Sequence, residues 1–388
     1  MPIAIPNTTP APEQTSGMET LQVADLDVYR DPASSEEAKL AECKKAAESL
    51  ILTGALIVRD SRATEQANET YLDMLEDYFA QEKETLEEDL RPELGYQVGA
   101  TLEDTEKPSC KSVTKCTDII AALPASERPL DITGADPKCR FFWKMSDQRT
   151  TEAEAEKQKA KRGGEFKLHD APNVVPRAFE GVWEGRMEDW GVKMKTAVQG
   201  VGEMLSVGLG LEKDTVNDAG RYGSHLLAPT ATDLRKYGKE GEIFAGFHSD
   251  MNFLTIHGRS RYPGLHIWAR NSGKKIAVKV PPGCLLVQAG KQLEAFSGGL
   301  VKAGYHEVVC TAATVKAIEN IKANKPDRPL IRISSTFFYH LSPEYELHGL
   351  PELVKEAERR FGPQDDYGRM TVAEQVQREL GMIALYKE

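Results

Sequence analysis

Hydrophobic positions recur at steps of three and four residues in the stretch before residue 210. This spacing puts one apolar stripe along a helix, so we predict an amphipathic helix that packs against a sheet. The stripe consists of Met187, Trp190, Met194, Val198, Val201 and Leu205. A shorter set with similar spacing predicts a second helix in the N-terminal half, and it consists of Tyr71, Leu75, Tyr78 and Phe79.

From about residue 222 to residue 339 the pattern changes to short apolar runs separated by glycine and proline. Such runs are typical of short β-strands, so we predict a fold that is mainly β with flanking helices. We divide the chain into a disordered Pro/Thr-rich tail (1–17), an N-terminal mixed helical part that packs on the core (18–210), a catalytic core (211–345) and C-terminal helices (346–388). The whole is best treated as a single catalytic domain.

The tripeptide His248-Ser249-Asp250 and the later His306 contain candidate metal ligands. Residues i and i+2 of a strand point to the same face, so His248 and Asp250 can reach one ion, and folding must deliver His306. Two imidazoles and one carboxylate leave up to three positions of an octahedral metal open, which is the arrangement of non-haem Fe(II) oxygenases. We therefore predict His248, Asp250 and His306 as metal ligands and catalytic residues.

Further motifs follow this tripeptide in a fixed order. They are Leu254-Thr255, Gly264-Leu265-His266-Ile267, Pro281-Pro282-Gly283, His306-Glu307-Val308-Val309, Arg332-Ile333-Ser334 and Phe337-Phe338. In this order the chain resembles the isopenicillin N synthase-like branch of the Fe(II)/2-oxoglutarate-dependent dioxygenases, over roughly Arg221 to Pro343. The resemblance implies a double-stranded β-helix core, that is, a cupin-like jelly roll.

The resemblance also implies roles for individual residues. The two histidines and the aspartate would hold Fe(II), while Arg332 and Ser334 would bind a carboxylate of the cosubstrate 2-oxoglutarate. His225 occupies the position at which many relatives carry a tyrosine that helps to bind 2-oxoglutarate, so we include it among the cofactor-binding residues. With O2, such an enzyme oxidises a small molecule by hydroxylation, desaturation or ring formation. We expect a substrate of specialised metabolism.

Departures from the family pattern keep an alternative open. Besides His225, the chain has Lys291 and Glu307 where relatives often have Asp and Arg, and it has an insertion at 314–325 that we interpret as a surface excursion. The alternative is a 2-oxoglutarate-independent Fe(II) oxidase, like isopenicillin N synthase itself, whose Arg332 and Ser334 bind an amino-acid or peptide carboxylate. The charged stretch 146–167 is either a solvated face or a cover over the active-site mouth.

Functions of other classes fit less well. A metal-free cupin could serve as a binding scaffold, but here all three ligands are intact. Substituting His248 or Asp250 discriminates, because an enzyme loses iron and turnover whereas a binding module keeps its partner. A zinc hydrolase has no required place for Arg332-Ile333-Ser334. The histidines without motif support are interpreted as surface or structural residues, and they are His169, His257, His266, His340 and His348.

Whole-chain properties set further bounds. The chain has 388 residues and a formal net charge of −11, which argues against nucleic acid as a partner. No apolar run approaches the ~20 residues that span a bilayer, and we infer no obligate protein partner. The six cysteines lack zinc-like spacing, and they are Cys43, Cys110, Cys116, Cys139, Cys284 and Cys310. We therefore expect reduced thiols and a cytoplasmic location.

Overall fold

The computed structural model describes residues 21–106, 110, 113–131, 134–147 and 171–382. The predicted tail (1–17) and nearly all of the charged stretch 146–167 lie outside the described residues. Within the described ranges, no helix has both the length and the apolar character needed to cross a membrane.

Strands form two main sheets and one small one. In the large sheet the order is β1-β2-β11-β8-β14-β5-β4-β6-β13, with β3 paired to β4, and in the second sheet it is β10-β9-β12-β7. The small sheet pairs β15 with β16. The strands are β1 Val23–Asp25, β2 Ala55–Arg59, β3 Gly99–Thr101, β4 Cys139–Lys144, β5 Leu226–Leu227, β6 Thr230–Asp233, β7 Ile243–His248, β8 Leu254–His257, β9 Leu265–Trp268, β10 Lys275–Ala277, β11 Cys284–Ala289, β12 His306–Val309, β13 Ile331–Ser334, β14 Thr336–Tyr339, β15 Glu346–Leu347 and β16 Met370–Thr371.

Helices flank these sheets in both the N-terminal and the C-terminal parts of the chain. Several begin at a side-chain cap, for example Thr64, whose hydroxyl accepts the backbone N–H of Ala67 at the start of α3. The helices are α1 Leu26–Arg30, α2 Glu36–Thr53, α3 Glu65–Phe79, α4 Lys83–Glu87, α5 Thr114–Ala122, α6 Trp183–Gly208, α7 Thr215–Gly220, α8 Leu234–Tyr237, α9 Lys291–Phe296, α10 Ala312–Asn324, α11 Pro351–Phe361 and α12 Val372–Met382.

The helix predicted from the apolar stripe is α6, and the prediction is confirmed. All six stripe residues are buried, and they pack in one cluster with apolar residues of α2, of α3 and of the large sheet. Helix α6 approaches α2 so closely that a Cβ on Gly208 would lie 2.2 Å from the carbonyl oxygen of Cys43. A side chain at Gly208 would push the two helices apart.

The two main sheets pack face to face, as a jelly roll requires. Ile57 of β2 and Leu286 of β11, both in the large sheet, form one buried cluster with Ile267 of β9 in the second sheet. The predicted fold class, mainly β with flanking helices around a jelly roll, is thereby confirmed. Strands β1 to β4 come from the N-terminal part, so this part supplies strands to the large sheet as well as helices. The boundary at residue 211 stays a prediction.

Two further interpretations from the sequence, of the insertion at 314–325 and of the six cysteines, can be compared with the structure. The insertion forms α10, which lies on the surface with Thr314 and Ile318 buried and with Val315, Ala317 and Ile321 half-buried against an apolar cluster. Cys110 and Cys116 form a disulfide against Phe247 and Trp268, so the expectation that all six thiols are reduced is wrong for this pair. Their spacing argues only against a zinc site, whereas in the structure their Cα atoms lie 5.2 Å apart.

A buried ion-pair group fastens α3 to two loops of the core, and it provides a test of stability. Glu76 is 1% exposed, and its two oxygens each lie 2.8 Å from a guanidinium nitrogen, of Arg261 and of Arg328. We expect Glu76→Ala to lower the free energy of unfolding by about 3 kcal/mol, because it leaves buried cations short of a partner. The matched control is Glu69→Ala, whose half-exposed carboxylate also pairs with Arg261 and which should cost less than about 1 kcal/mol. Chemical denaturation of both variants checks this, and equal losses would contradict it.

Candidate active site

The three predicted metal ligands come together at one end of the second sheet. His248 ends β7 and His306 begins β12, and the two residues are direct neighbours across the antiparallel strand pair. Oδ1 of Asp250 lies 3.7 Å from Nε2 of His248 and 3.9 Å from Nε2 of His306. The three ligand atoms all lie within 4.8 Å of one another. The sequence pattern thus predicted residues that the fold brings together.

Neighbouring groups orient each ligand. Nδ1 of His248 lies 2.6 Å from the carbonyl oxygen of Gly246, and Nδ1 of His306 lies 3.2 Å from that of Gly304. A ring nitrogen that donates to a carbonyl keeps its proton, so in both residues Nε2 is the nitrogen with a free lone pair. The Thr255 hydroxyl donates to Oδ2 of Asp250 at 2.6 Å, which leaves Oδ1 for the centre.

The protonation states suit a divalent cation. The pKa of His248 is lowered to about 4, mainly by burial and then by the nearby His306. Burial by itself raises the pKa of Asp250, but the two imidazoles and the Thr255 hydroxyl outweigh it and place this pKa below its usual range. Near neutral pH the centre therefore offers an uncharged imidazole of His248 and a carboxylate, which are the donors that an Fe(II) ion accepts.

Donor separations fit one shared ion. Each histidine nitrogen is less than ~4.2 Å from the aspartate oxygen, and this limit is twice a metal–ligand bond of about 2.1 Å. The turn that carries Asp250 is held by backbone contacts, since the Lys291 N–H donates to the Asp250 carbonyl at 2.9 Å. A Cβ on Gly290 would lie 1.9 Å from the Asn252 carbonyl oxygen, so only glycine allows this close approach.

Arg332 and Ser334 lie two residues apart on β13, and therefore on one face of the strand. Ser334 lines the same cavity as the metal ligands. Arg332 is 4% exposed, its Nε has no hydrogen-bond partner, and no carboxylate among the described residues pairs with it. Burial lowers its pKa to about 10, with only a small opposing effect from Cys310. A buried cation without a protein carboxylate fits an anionic ligand.

His225, predicted as a cofactor-binding residue, is not among the residues that line the cavity. Its ring is fully buried and stacks on Tyr339 with a centroid distance of 4.4 Å, and its Nδ1 accepts the backbone N–H of His340. The next residue, Leu226, lines the cavity instead. Successive residues of an extended strand face opposite sides, so His225 points into the helix-covered core, and its cofactor-binding role is not supported.

The cavity has a volume of about 630 Å³. One of its walls was missed in the sequence although it has a clear period-two pattern. The residues that alternate along β4 and the segment before it all line the cavity, and they are Asp136, Lys138, Arg140, Phe142 and Lys144. Lys138 pairs with Asp136 at 2.8 Å and with Glu106 at 3.2 Å, and Arg140 pairs with Glu106. Alternation over nine positions, with charged residues at four of the five alternating places, is the signal that could have found this wall.

This wall is tied to the metal centre. Oδ1 of Asp136 accepts the backbone N–H of Gly246 at 3.0 Å, and the carbonyl of Gly246 is the group that orients His248. Helix α12 closes another side of the cavity with Val376 and Leu380. Phe338 also lines the cavity, whereas its neighbour Phe337 is buried in the core, as the alternation along β14 predicts.

Comparison with known proteins was made at the level of sequence and of structure. At the level of sequence, the family model of the 2OG-Fe(II) oxygenase superfamily matches residues 228–341. A flavonol synthase/flavanone 3-hydroxylase of Petunia hybrida is 26% identical over 172 residues, and this match covers only 44% of each of the two chains.

Solved structures show the same fold over nearly the whole chain. A protein from Caulobacter crescentus assigned to the 2OG-Fe(II) oxygenase family superposes with a TM-score of 0.66 at 18% identity, covering 94% of this chain and 100% of that one. A Neurospora crassa protein, solved in complex with alpha-KG, gives a TM-score of 0.65 at 16% identity and covers 92% and 95%. Over residues 228–341 the chain is similar to the 2OG-Fe(II) oxygenase superfamily, and its ordered motifs are consistent with the isopenicillin N synthase-like branch.

Proposed function

We propose that this protein is a non-haem Fe(II) oxygenase that uses O2 and 2-oxoglutarate to oxidise a small molecule. The observation that carries the proposal is the combination of two sites in one jelly roll: a metal triad with open positions and a buried arginine without a protein carboxylate. The first site fits Fe(II) and the second fits the carboxylate of 2-oxoglutarate. The Neurospora crassa protein that shares the fold was solved with alpha-KG, that is, with 2-oxoglutarate.

Each residue has a defined task in this proposal. His248, Asp250 and His306 would hold the iron, which supplies the oxidising chemistry once O2 and the keto acid are bound. The two carbonyls behind the histidines and the Thr255 hydroxyl fix the ligand orientation. Arg332 and Ser334 would anchor the far carboxylate of 2-oxoglutarate, so that its other end reaches the metal.

The cavity also limits the substrate. Its volume falls in the range of sites for small organic molecules. One wall is apolar, with Phe142, Leu226 and Phe338, and the charged residues beside it are paired within the protein. A substrate that combines a hydrophobic part with hydrogen-bonding groups matches these walls, and specialised metabolism is the class we favour. Hydroxylation, desaturation and ring formation remain the three possible outcomes.

The alternative is an oxidase that works without 2-oxoglutarate. One observation favours it, namely that His225 does not lie against the cavity and so cannot replace the tyrosine of relatives. In that case Arg332 and Ser334 would bind the carboxylate of an amino-acid or peptide substrate, which itself supplies the electrons for O2.

The test is an anaerobic titration of the Fe(II)-loaded protein with 2-oxoglutarate, followed by visible absorption. We expect a weak charge-transfer band that saturates, because chelation by the keto acid creates it. Absence of the band in a protein that holds Fe(II) tightly would overturn 2-oxoglutarate dependence. The same titration with candidate amino-acid substrates and O2 would then test the alternative.

Partners and location complete the proposal. We infer no nucleic-acid partner and no obligate protein partner, in line with the net charge of −11. The cytoplasmic location stays a prediction. Four free cysteines fit a reducing compartment, whereas the disulfide between Cys110 and Cys116 fits an oxidising one.

A further inference from the structure

His257 ends β8 two residues after Thr255, so both side chains point into the barrel from the same strand. Thr255 holds the metal ligand Asp250 through its hydroxyl. His257 lines the cavity together with the triad and with Ser334. It belongs to none of the sequence motifs, which is why it is interpreted above as a surface or structural residue. In the structure His257 lines the cavity, two residues after Thr255, whose hydroxyl donates to Asp250.

His257 shares the cavity with the metal triad, and charged and polar groups of the site act on its ring. Burial is the main cause that lowers its pKa to about 4; Asp250 and the Gln288 side chain raise this pKa, while His306 and Arg332 lower it. On the neighbouring strand β14, Thr336 is its direct partner in the sheet.

The hydrogen bonds of His257 are incomplete. The Thr336 hydroxyl lies 3.4 Å from Nδ1, while Nε2 is buried without a partner. Gln288, on the adjacent strand β11, approaches the ring, but both of its amide atoms are buried without a well-formed hydrogen bond. Together with Nε of Arg332, these form a group of unsatisfied polar atoms in the barrel interior. Buried polar atoms are nearly always hydrogen-bonded in folded proteins, so this group fits a bound molecule rich in oxygen.

We propose that His257 is a ligand of the cosubstrate, donating its Nε2–H to an oxygen of 2-oxoglutarate between the metal triad and Arg332. The proposal requires the tautomer with its proton on Nε2, in which Nδ1 accepts the Thr336 hydroxyl at 3.4 Å and Nε2–H is a donor toward such an oxygen. His257 thereby takes the role that the sequence assigned to His225. This inference rests on the proposed function, since it names a further residue of the same site.

The experiment measures 2-oxoglutarate affinity from the charge-transfer band under anaerobic conditions, with Fe(II) affinity measured separately by metal titration. Three variants are compared with the natural chain. His257→Leu removes the donor at similar volume, His257→Gln keeps an N–H donor, and His225→Phe keeps a buried aromatic ring at the position that the sequence favoured. Melting curves establish that each variant is folded.

We expect His257→Leu to raise the dissociation constant of 2-oxoglutarate by about 10-fold or more, the usual effect of losing a hydrogen bond to a charged group. Fe(II) affinity should stay unchanged, His257→Gln should recover most of the loss, and His225→Phe should bind 2-oxoglutarate like the natural chain. The inference is overturned if both His257 variants bind 2-oxoglutarate within about twofold of the natural chain, or if only His225→Phe weakens binding. If His257→Leu does not fold, His257→Phe replaces it as the variant without the donor, and binding within about twofold of the natural chain overturns the inference. A natural chain without any band overturns the proposed function itself, whatever the variants do.

Discussion

Substituting Asp250 with alanine is expected to remove Fe(II) and turnover while the protein stays folded. Asp250 is the charged member of the proposed triad, and its oxygen lies within 4 Å of both histidine nitrogens. Loss of an outer partner of a metal ligand already costs about 10- to 100-fold in metal affinity, so loss of the ligand itself should cost more than about 100-fold. The fold should persist because the side chain makes one hydrogen bond, from Thr255, and sits in a turn held by backbone contacts.

Iron content after desalting, turnover and the melting temperature together check this expectation. Glu379→Gln is the matched control, because Glu379 is another acidic residue of the cavity but pairs with Lys291 at 2.7 Å and is not a ligand. The control should keep its iron. Retention of stoichiometric Fe(II) by Asp250→Ala would contradict the assignment of the triad. A loss of iron in both variants would point to the cavity charge as a whole rather than to one ligand.

The sequence predicted the candidate metal centre because two of its residues have an informative spacing and the third lies in an ordered series of motifs. The spacing of His248 and Asp250 has a direct geometric meaning in an extended segment. His306 carries no such local signal, and only the order of motifs around it pointed to it. In the structure the two histidines face each other across β7 and β12, which is a consequence of strand pairing that no local pattern contains.

His225 was misassigned because strand phase is hard to read at the end of a strand. A shift of one residue exchanges the two faces of a sheet, and β5 is only two residues long. The cavity-facing residue is Leu226, while His225 turns to Tyr339 on the other side. By the same logic His257 could have been found, because it lies two residues after Thr255, which is part of a recognisable motif.

The charged wall of β4 shows a different limit of the sequence. Alternation from Asp136 to Lys144 was present in the chain, but charged residues usually indicate a solvated face. This wall lies inside the protein because folding supplies partners for its charges. Lys138 pairs with Glu106, and Asp136 accepts the backbone N–H of Gly246. The disulfide between Cys110 and Cys116 is comparable, since spacing alone does not distinguish a pair from two separate thiols.

Substituting Arg332 with methionine is expected to abolish 2-oxoglutarate binding without destabilising the protein. Arg332 is 4% exposed and no carboxylate among the described residues pairs with it, so its desolvation is offset only in part, by the Phe244 ring at 5.8 Å. Removing an unpaired buried charge in favour of an apolar side chain of similar length is neutral or stabilising. The same change removes a charge-assisted bond to the ligand, so the affinity for 2-oxoglutarate should fall by about 100-fold or more.

Melting curves with and without 2-oxoglutarate separate the two effects. A ligand that binds only the folded state raises the melting temperature, so the natural chain should be stabilised by 2-oxoglutarate while Arg332→Met should not respond. Without the ligand, Arg332→Met should melt at the same temperature as the natural chain or above it. Arg332→Lys is the control, because it keeps the charge but loses the planar fork that matches a carboxylate, and it should respond partially. If Arg332→Met is stabilised by 2-oxoglutarate as the natural chain is, the carboxylate binds elsewhere. If neither responds but a substrate carboxylate stabilises only the natural chain, Arg332 belongs to the substrate, and the oxidase that works without 2-oxoglutarate replaces the dioxygenase as the function of this protein.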